Sequence, residues 1–263
     1  MARLCSLFSG SSGNSVWISG GDARILVDAG KNARTIELAL RGIGEDLRAV
    51  DAILVTHEHT DHTAALDVLA RRYRIPIYAN EATLARIRPT LGAVDEERLR
   101  ALPTGGSAEV KGLRFASFPV PHDSVECVGY AIETDDARIS IFTDTGHVPD
   151  ELLARVSGSD LVFLEANHDV HMLRMGPYPY YLKQRILGPN GHLSNDACAE
   201  AVRFLLDNGT QRFVLGHLSQ ENNLPHLAYE TVRQALAACG AEAGADYDLD
   251  VAPRDAAGDV HEL

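Results

Sequence analysis

Six consecutive residues, His57-Glu58-His59-Thr60-Asp61-His62, bring three imidazoles and the Asp61 carboxylate together directly after the apolar run Ala52-Ile53-Leu54-Val55. In extended backbone, side chains two apart point the same way, so His57 and His59 can share one cation. Asp61 and His62 are adjacent and aim elsewhere, which suits a second cation. Imidazole mixed with carboxylate selects zinc, manganese or iron rather than calcium or magnesium. A solvated loop accounts poorly for four such groups in so short a span.

Groups of this kind must be held by rigid elements, and the surrounding sequence supplies them. Ile53 to Val55 read as a short buried strand that Thr56 leads off. Strands are also expected at Leu4 to Phe8, Val16 to Ser19, Arg24 to Asp28, Ile77 to Ala79, Arg114 to Pro119, Gly129 to Glu133, Arg138 to Thr143, Leu161 to Ala166, Gln211 to Leu215 and Asp246 to Val251. Helices are expected at Asn32 to Arg41, Ala64 to Arg72, Glu81 to Ile87, Asp196 to Leu206 and Pro225 to Ala238, the fourth capped by Ser194 or Asn195. The alternation suits two sheets packed face to face with helices outside. Further chemistry-bearing residues stand at strand ends: Asp28 after Ile25-Leu26-Val27, His122 after Phe118-Pro119-Val120-Pro121, Asp144 after Ile141-Phe142-Thr143, and His217 after Phe213-Val214-Leu215-Gly216.

The motif H-x-H-x-D-H at a strand end, with Asp28, His122, Asp144 and His217 following in order, resembles the signature of the metallo-β-lactamase superfamily, and the likeness spans nearly the whole chain. It implies an α/β fold, the four-layer αββα sandwich, as one domain over residues 1–263. It implies two divalent metal ions, zinc or manganese with iron also allowed. His57, His59 and His122 would hold one ion, Asp61, His62 and His217 the other, and Asp144 would bridge them. The ions would share a hydroxide that attacks the substrate. Asp61, Asp144 and His192 form the candidate catalytic set.

Around this set stand residues with two readings. Asp28 either orients a ligand imidazole or closes a turn before Ala29-Gly30. Asn14 ends Ser9-Gly10-Ser11-Ser12-Gly13-Asn14, which is either a nest of backbone donors or a plain hairpin turn. The tetrapeptide Gly-His-Leu-Ser occurs at Gly191–Ser194 and again at Gly216–Ser219. The first copy opens a helix, where amides and a positive dipole end favour an anion. There His192 either meets a phosphate oxygen and protonates a leaving alkoxide, or is a bystander in a capping loop. Glu165, His168 and Asp169 follow another strand, within reach of the site. From Arg174 to Arg185, three tyrosines interleave with Arg174, Lys183 and Arg185. That stretch either stacks bases and meets phosphates or forms an amphipathic lip over the core.

Composition narrows the function. With 263 residues and 45% apolar content, the chain can bury one substantial core. Neither a signal peptide nor a run of membrane-spanning length is evident. Cys5, Cys127, Cys198 and Cys239 lack C-x-x-C spacing and read as thiols of a reducing cytosol. A cytoplasmic protein with no membrane association is expected, which argues against an antibiotic-degrading β-lactamase. A net charge of −13 disfavours nucleic acid as a partner, although two bound cations would offset it locally.

The finer resemblance is to the YycJ/WalJ-like branch, through Leu7 to Ser15, Val55 to His59, Glu165 to Asp169, Leu187 to Asn195 and His217-Leu218-Ser219. It implies a 5′-to-3′ exonuclease with DNA as substrate. A small-molecule cyclic phosphodiesterase would share nearly every residue named. A thioester hydrolase like glyoxalase II would share the ligands without needing His192. A non-enzymatic regulator would have no use for a complete ligand set. The chain shows neither the long insertion of ribonuclease Z nor the appended domain of ribonuclease J.

Overall fold

Runs such as Ser15–Gly20 and Ala52–Leu54 are buried along their whole length, as strands covered on both faces must be. They lie in the first of two compact units into which the computed structural model, describing all residues from Met1 to Leu263, divides. That unit comprises Met1–Pro119, Ser124–Ala137 and Pro253–Leu263; the second comprises Val120–Asp123 and Arg138–Ala252.

The first unit contains β1 (Arg3–Phe8), β2 (Ser15–Gly20), β3 (Ala23–Val27), β4 (Ala52–Leu54), β5 (Ile77–Ala79), β6 (Leu99–Ala101), β7 (Ser107–Val110), β8 (Leu113–Pro119), β9 (Val128–Glu133) and the terminal β14 (His261–Glu262). Its helices are α1 (Ala33–Gly42), α2 (Thr60–Thr63), α3 (Leu66–Arg72) and α4 (Glu81–Ile87). One sheet runs in the order β14-β1-β2-β3-β4-β5-β6. Strands β1 to β3 are antiparallel, and β3 to β6 are parallel, with Val27 opposite Leu54 and Ile53 opposite Ile77. Ile36 and Leu40 of α1, Leu66 and Leu69 of α3, and Ile87 of α4 pack with Trp17, Leu26 and Ile53 in one buried cluster. Asn32 and Asn80 cap α1 and α4 through their side chains. Strands β7 to β9 form an antiparallel meander. It braces the end of β4: Val128 donates to the Thr56 carbonyl at 3.1 Å and the Tyr130 hydroxyl to the Val55 carbonyl at 2.8 Å.

The second unit contains β10 (Arg138–Phe142), β11 (Leu161–Glu165), β12 (Arg212–Gly216) and β13 (Asp248–Val251). Its helices are α5 (Asp150–Val156), α6 (Val170–Met175), α7 (Tyr180–Ile186), α8 (Asn195–Asp207) and α9 (Pro225–Ala238). All four strands are parallel, in the order β13-β12-β11-β10. Parallel strands present their carboxyl ends along one edge, where α/β sheets place their ligands.

Several elements differ from the sequence reading. The helix expected from Ala64 is broken into α2 and α3, because His62 and Ala65 bond across to the backbone of Ala29 instead of continuing one helix. Strands β6 and β7 lack an apolar run, and α5, α6 and α7 were not expected, the last two flanking the Gly176-Pro177-Tyr178-Pro179 break that reads as loop. No helix is long and apolar enough to cross a membrane. No cysteines are joined by a disulfide; Cys239 is exposed, and Cys5 and Cys198 are buried.

Ile53 is fully buried at the centre of the strand that leads into the histidine motif. Ile53→Ala is expected to destabilise the protein by about 2–5 kcal/mol, read as a lower urea midpoint.

Candidate metal centre

In the first unit, the candidate residues follow the carboxyl ends of the parallel strands β3 and β4. Asp28 comes directly after β3 in a left-handed conformation, φ 62°. Its carboxylate accepts from the Thr56 amide and hydroxyl, both at 2.8 Å, and from His62 Nδ1 at 2.7 Å. Accepting from Nδ1–H fixes the tautomer in which the His62 lone pair is on Nε2. His57 is fully buried, and its Nε2 lies 3.0 Å from Nδ1 of the half-buried His59. Asn14 joins the group: its Nδ2 is 3.0 Å from His62 Nε2 and 3.5 Å from the Asp61 carboxylate. The structure thus gathers Asn14, Asp28, His57, His59, Asp61 and His62. The Ser9–Asn14 loop is a turn closed on itself, since the Gly10 amide donates to Asn14 Oδ1 and the Gly13 amide to the Gly10 carbonyl.

In the second unit, three adjacent parallel strands deliver the groups. Asp144 follows β10 with φ 57°, Glu165 ends β11, and His217 follows β12 with φ 55°. A non-glycine residue held at positive φ carries backbone strain and clusters at functional sites. Asp144 Oδ1 lies 3.3 Å from His217 Nε2, 3.8 Å from His122 Nε2 and 4.0 Å from His192 Nδ1. His122 donates through Nδ1 to the Gly191 carbonyl at 3.2 Å, which turns Nε2 toward Asp144. The rings of His192 and His217 stack at 5.3 Å.

Glu165 carries more of this arrangement than its sequence placing gave it. The side chain is fully buried. It accepts from the Thr145 amide at 2.7 Å, the Leu193 amide at 3.2 Å and His192 Nδ1 at 2.7 Å. Burial raises its pKa, with His192 acting against that shift. Burial also opposes charge on His192, but Glu165 outweighs it, with Asp144 and Asp123 adding to its effect, and the imidazole is lifted to about 9. The signal in the sequence was its position at a strand end, the same as that of Asp144.

Three of the backbone amides at the start of α8 already have acceptors within the protein. The Leu193 amide is taken by Glu165, the Asn195 amide by the His168 carbonyl and the Ala197 amide by the Ser194 side chain. The His192 side chain, not these amides, remains to meet a substrate. Arg174 is exposed at the end of α6, and Lys183 donates to the Arg174 and Gly176 carbonyls. Arg185 is paired with Asp123, the neighbour of His122. His168 is 1% exposed, and neither ring nitrogen has a hydrogen-bond partner.

The donor set fits transition-metal ions. In the second unit, Asp144 Oδ1 and His217 Nε2 stand 3.3 Å apart, as two donors to one ion do, with the Glu165–His192 pair beside them. In the first unit, two imidazole nitrogens of His57 and His59 face each other at 3.0 Å, as chelating nitrogens do.

Comparison with known proteins agrees. The β-lactamase superfamily domain model matches residues 23–218. The crystal structure of the metallo-β-lactamase fold protein YhfI from Bacillus subtilis superposes with a TM-score of 0.75 at 15% identity, covering 100% of both chains. The chain is a hydrolase with the metallo-β-lactamase fold, as its sequence led one to expect. It is 41% identical over 245 residues to exodeoxyribonuclease WalJ of Streptococcus pneumoniae, covering 92% of this chain and 91% of that one. It is 35% identical over 243 residues to exodeoxyribonuclease YycJ of Bacillus anthracis, covering 92% of each. The chain belongs to the WalJ/YycJ-like branch of the superfamily.

Two predictions follow from the local geometry. A Cβ on Gly30 would stand 1.6 Å from the Asp61 carbonyl oxygen. Gly30→Ala should therefore displace the segment bearing Asp61 and His62, costing about 1–3 kcal/mol or more and at least half the bound metal, measured by denaturation and elemental analysis. The second prediction concerns His168, whose pKa burial lowers from 6.5 to about 4. The unfolded chain takes up a proton below 6.5 that the folded chain refuses until about 4, so His168 makes stability fall as pH drops through that window. In metal-free protein, His168→Gln should reduce this loss by on the order of 2 kcal/mol at pH 5 relative to pH 8. Parallel pH–stability curves for the two proteins would contradict it.

Proposed function

We propose that this protein is a metal-dependent 5′-to-3′ DNA exonuclease whose two half-sites act as one dinuclear centre within a single working domain. His57, His59 and His122 would hold one divalent ion, Asp61, His62 and His217 would hold the other, and Asp144 would serve both. The complete ligand set in family order supports this reading, as do the mutually close donors in each unit. Zinc, manganese and iron all suit the donors. When bound, the two ions would acidify a water and polarise the phosphoryl oxygen under attack. Asp28 keeps His62 in the ligand tautomer, and Asn14 steadies Asp61.

The observation that carries the phosphodiester reading is the placement of His192. Glu165 holds it by a 2.7 Å hydrogen bond, stacked on His217 and outside the proposed ligand set. An imidazole so oriented can donate a proton to a leaving alkoxide, which phosphodiester cleavage requires. A thiolate leaving group has little need of that proton. DNA as the substrate is supported by the exodeoxyribonuclease relatives. The absence of disulfides is in keeping with a cytoplasmic location.

The test combines metal analysis with a substrate panel. Metal-replete wild-type protein should contain about two transition-metal ions and shorten end-labelled duplex DNA from a free 5′ end. The net charge of −13 makes binding weak at the outset, and whatever Arg and Lys contacts the protein makes to phosphate should weaken further as salt rises. His192→Ala should keep both ions and lose roughly 10²–10⁴-fold in phosphodiester cleavage. Intact DNA at low salt, with a thioester or a small cyclic phosphate turned over instead, would overturn the nuclease reading.

A further inference from the structure

One surface of the second unit is unlike the rest of the chain. From Val170 to Asn195 there is no Asp or Glu, the longest such stretch in a chain of net charge −13. It contains Arg174, Lys183 and Arg185 and leads directly into His192. It also holds the three most exposed large apolar side chains, Tyr180 at 77%, Met175 at 75% and Tyr181 at 74%, apart from Met1 at the chain start; the next is Leu38 at 54%.

These side chains project from a well-anchored support. Leu173 of α6 and Ile186 of α7 are buried beneath them. Asp169 caps α6 by accepting from the Met172 amide. Lys183 straps the two short helices together through the Arg174 and Gly176 carbonyls. Those two carbonyls take two of its three N–H donors and do not neutralise its positive charge. Pro177 and Pro179 flank Tyr178, and Pro179 precedes the tyrosine pair, so the backbone presenting them is stiff. Exposed aromatic faces on such a support are costly in water and suited to a flat, π-bearing partner.

We propose that Tyr180 and Tyr181 form a base-stacking platform for unpaired nucleotides at the DNA end that the site attacks. The proposal rests on the nuclease reading and deepens it, since it assigns the stacking surface and the state of the substrate. Positive charge at Arg174 and Lys183 complements the phosphates, and aromatic rings accept any base because every base has a π-face. This combination binds single strands without sequence preference. A frayed or overhanging end is therefore the favoured substrate over a blunt, fully paired one.

The test uses metal-replete full-length protein and a 5′-overhang duplex with 2-aminopurine near its terminus and phosphorothioate terminal linkages that resist cleavage. Wild-type protein should bind it and quench the 2-aminopurine. The Tyr180→Ala/Tyr181→Ala variant should bind at least about tenfold more weakly, with the quench lost. The Tyr180→Phe/Tyr181→Phe variant should restore both. Hydrolysis of bis-p-nitrophenyl phosphate, which needs no platform, should be unchanged within about twofold in both variants. Unaltered binding and quenching in the alanine variant overturn the platform and leave the nuclease reading standing. Failure of wild-type protein to bind the oligonucleotide overturns both. If the alanine variant instead loses a dimer seen by sedimentation, with DNA binding intact, the patch belongs to a second copy of this chain and the platform is wrong.

Discussion

A carboxylate sealed from water must find its hydrogen bonds in the protein, and at Glu165 that requirement organises the second unit's share of the site. Its two oxygens reach the Thr145 amide beyond β10, the Leu193 amide before α8 and the His192 ring. One side chain thereby fixes the loop that carries Asp144, the turn that opens α8 and the orientation of an imidazole. Any movement of these three segments would strand a buried charge, which is expensive. Asp28 solves the same problem in the first unit, with Thr56 and His62 as its partners. Each unit therefore builds its loops around an acidic group in the interior.

Strand direction explains why these carboxylates can reach their partners. Strands β10, β11 and β12 are parallel and adjacent, so the residues after them emerge side by side. In the first unit, β3 and β4 do the same for Asp28 and the His57–His62 segment. The loops can then be short and strained, because the sheets and their covering helices hold both ends. The left-handed backbone at Asp28, Asp144 and His217 is tolerated on that account.

Much of this was legible in the sequence, and the reasons lie in particular residues. His57 to His62 announced themselves because four donors in six residues have few other uses. The long helices α1, α8 and α9 were legible in the sequence, α8 also through its Ser194 cap. Glu165 was underweighted because it offers no motif; its importance comes from three partners distant in sequence. The start of α8 read as either an anion cradle or a capping loop, and the partners that Glu165, His168 and Ser194 give to three of its amides carry no sequence signal. Helices α6 and α7 were missed because Gly176, Pro177 and Pro179 punctuate the stretch between them and read as loop. The stretch with Arg185 read as either a phosphate contact or a lip over the core, and its pairing with the sequence-distant Asp123 leaves no local signal.

The positive φ angles at Asp28, Asp144 and His217 also limit how this lineage can drift. The left-handed region admits glycine freely and Asn, Asp and His with modest cost, and it largely excludes β-branched side chains. Apart from glycine, the alphabet that the backbone accepts at these three positions is thus almost the alphabet of oxygen and nitrogen donors. Neutral variation there would retain coordinating atoms and alter their charge or hardness. Over evolutionary time, the preferred ion can change more easily than the shape that receives it.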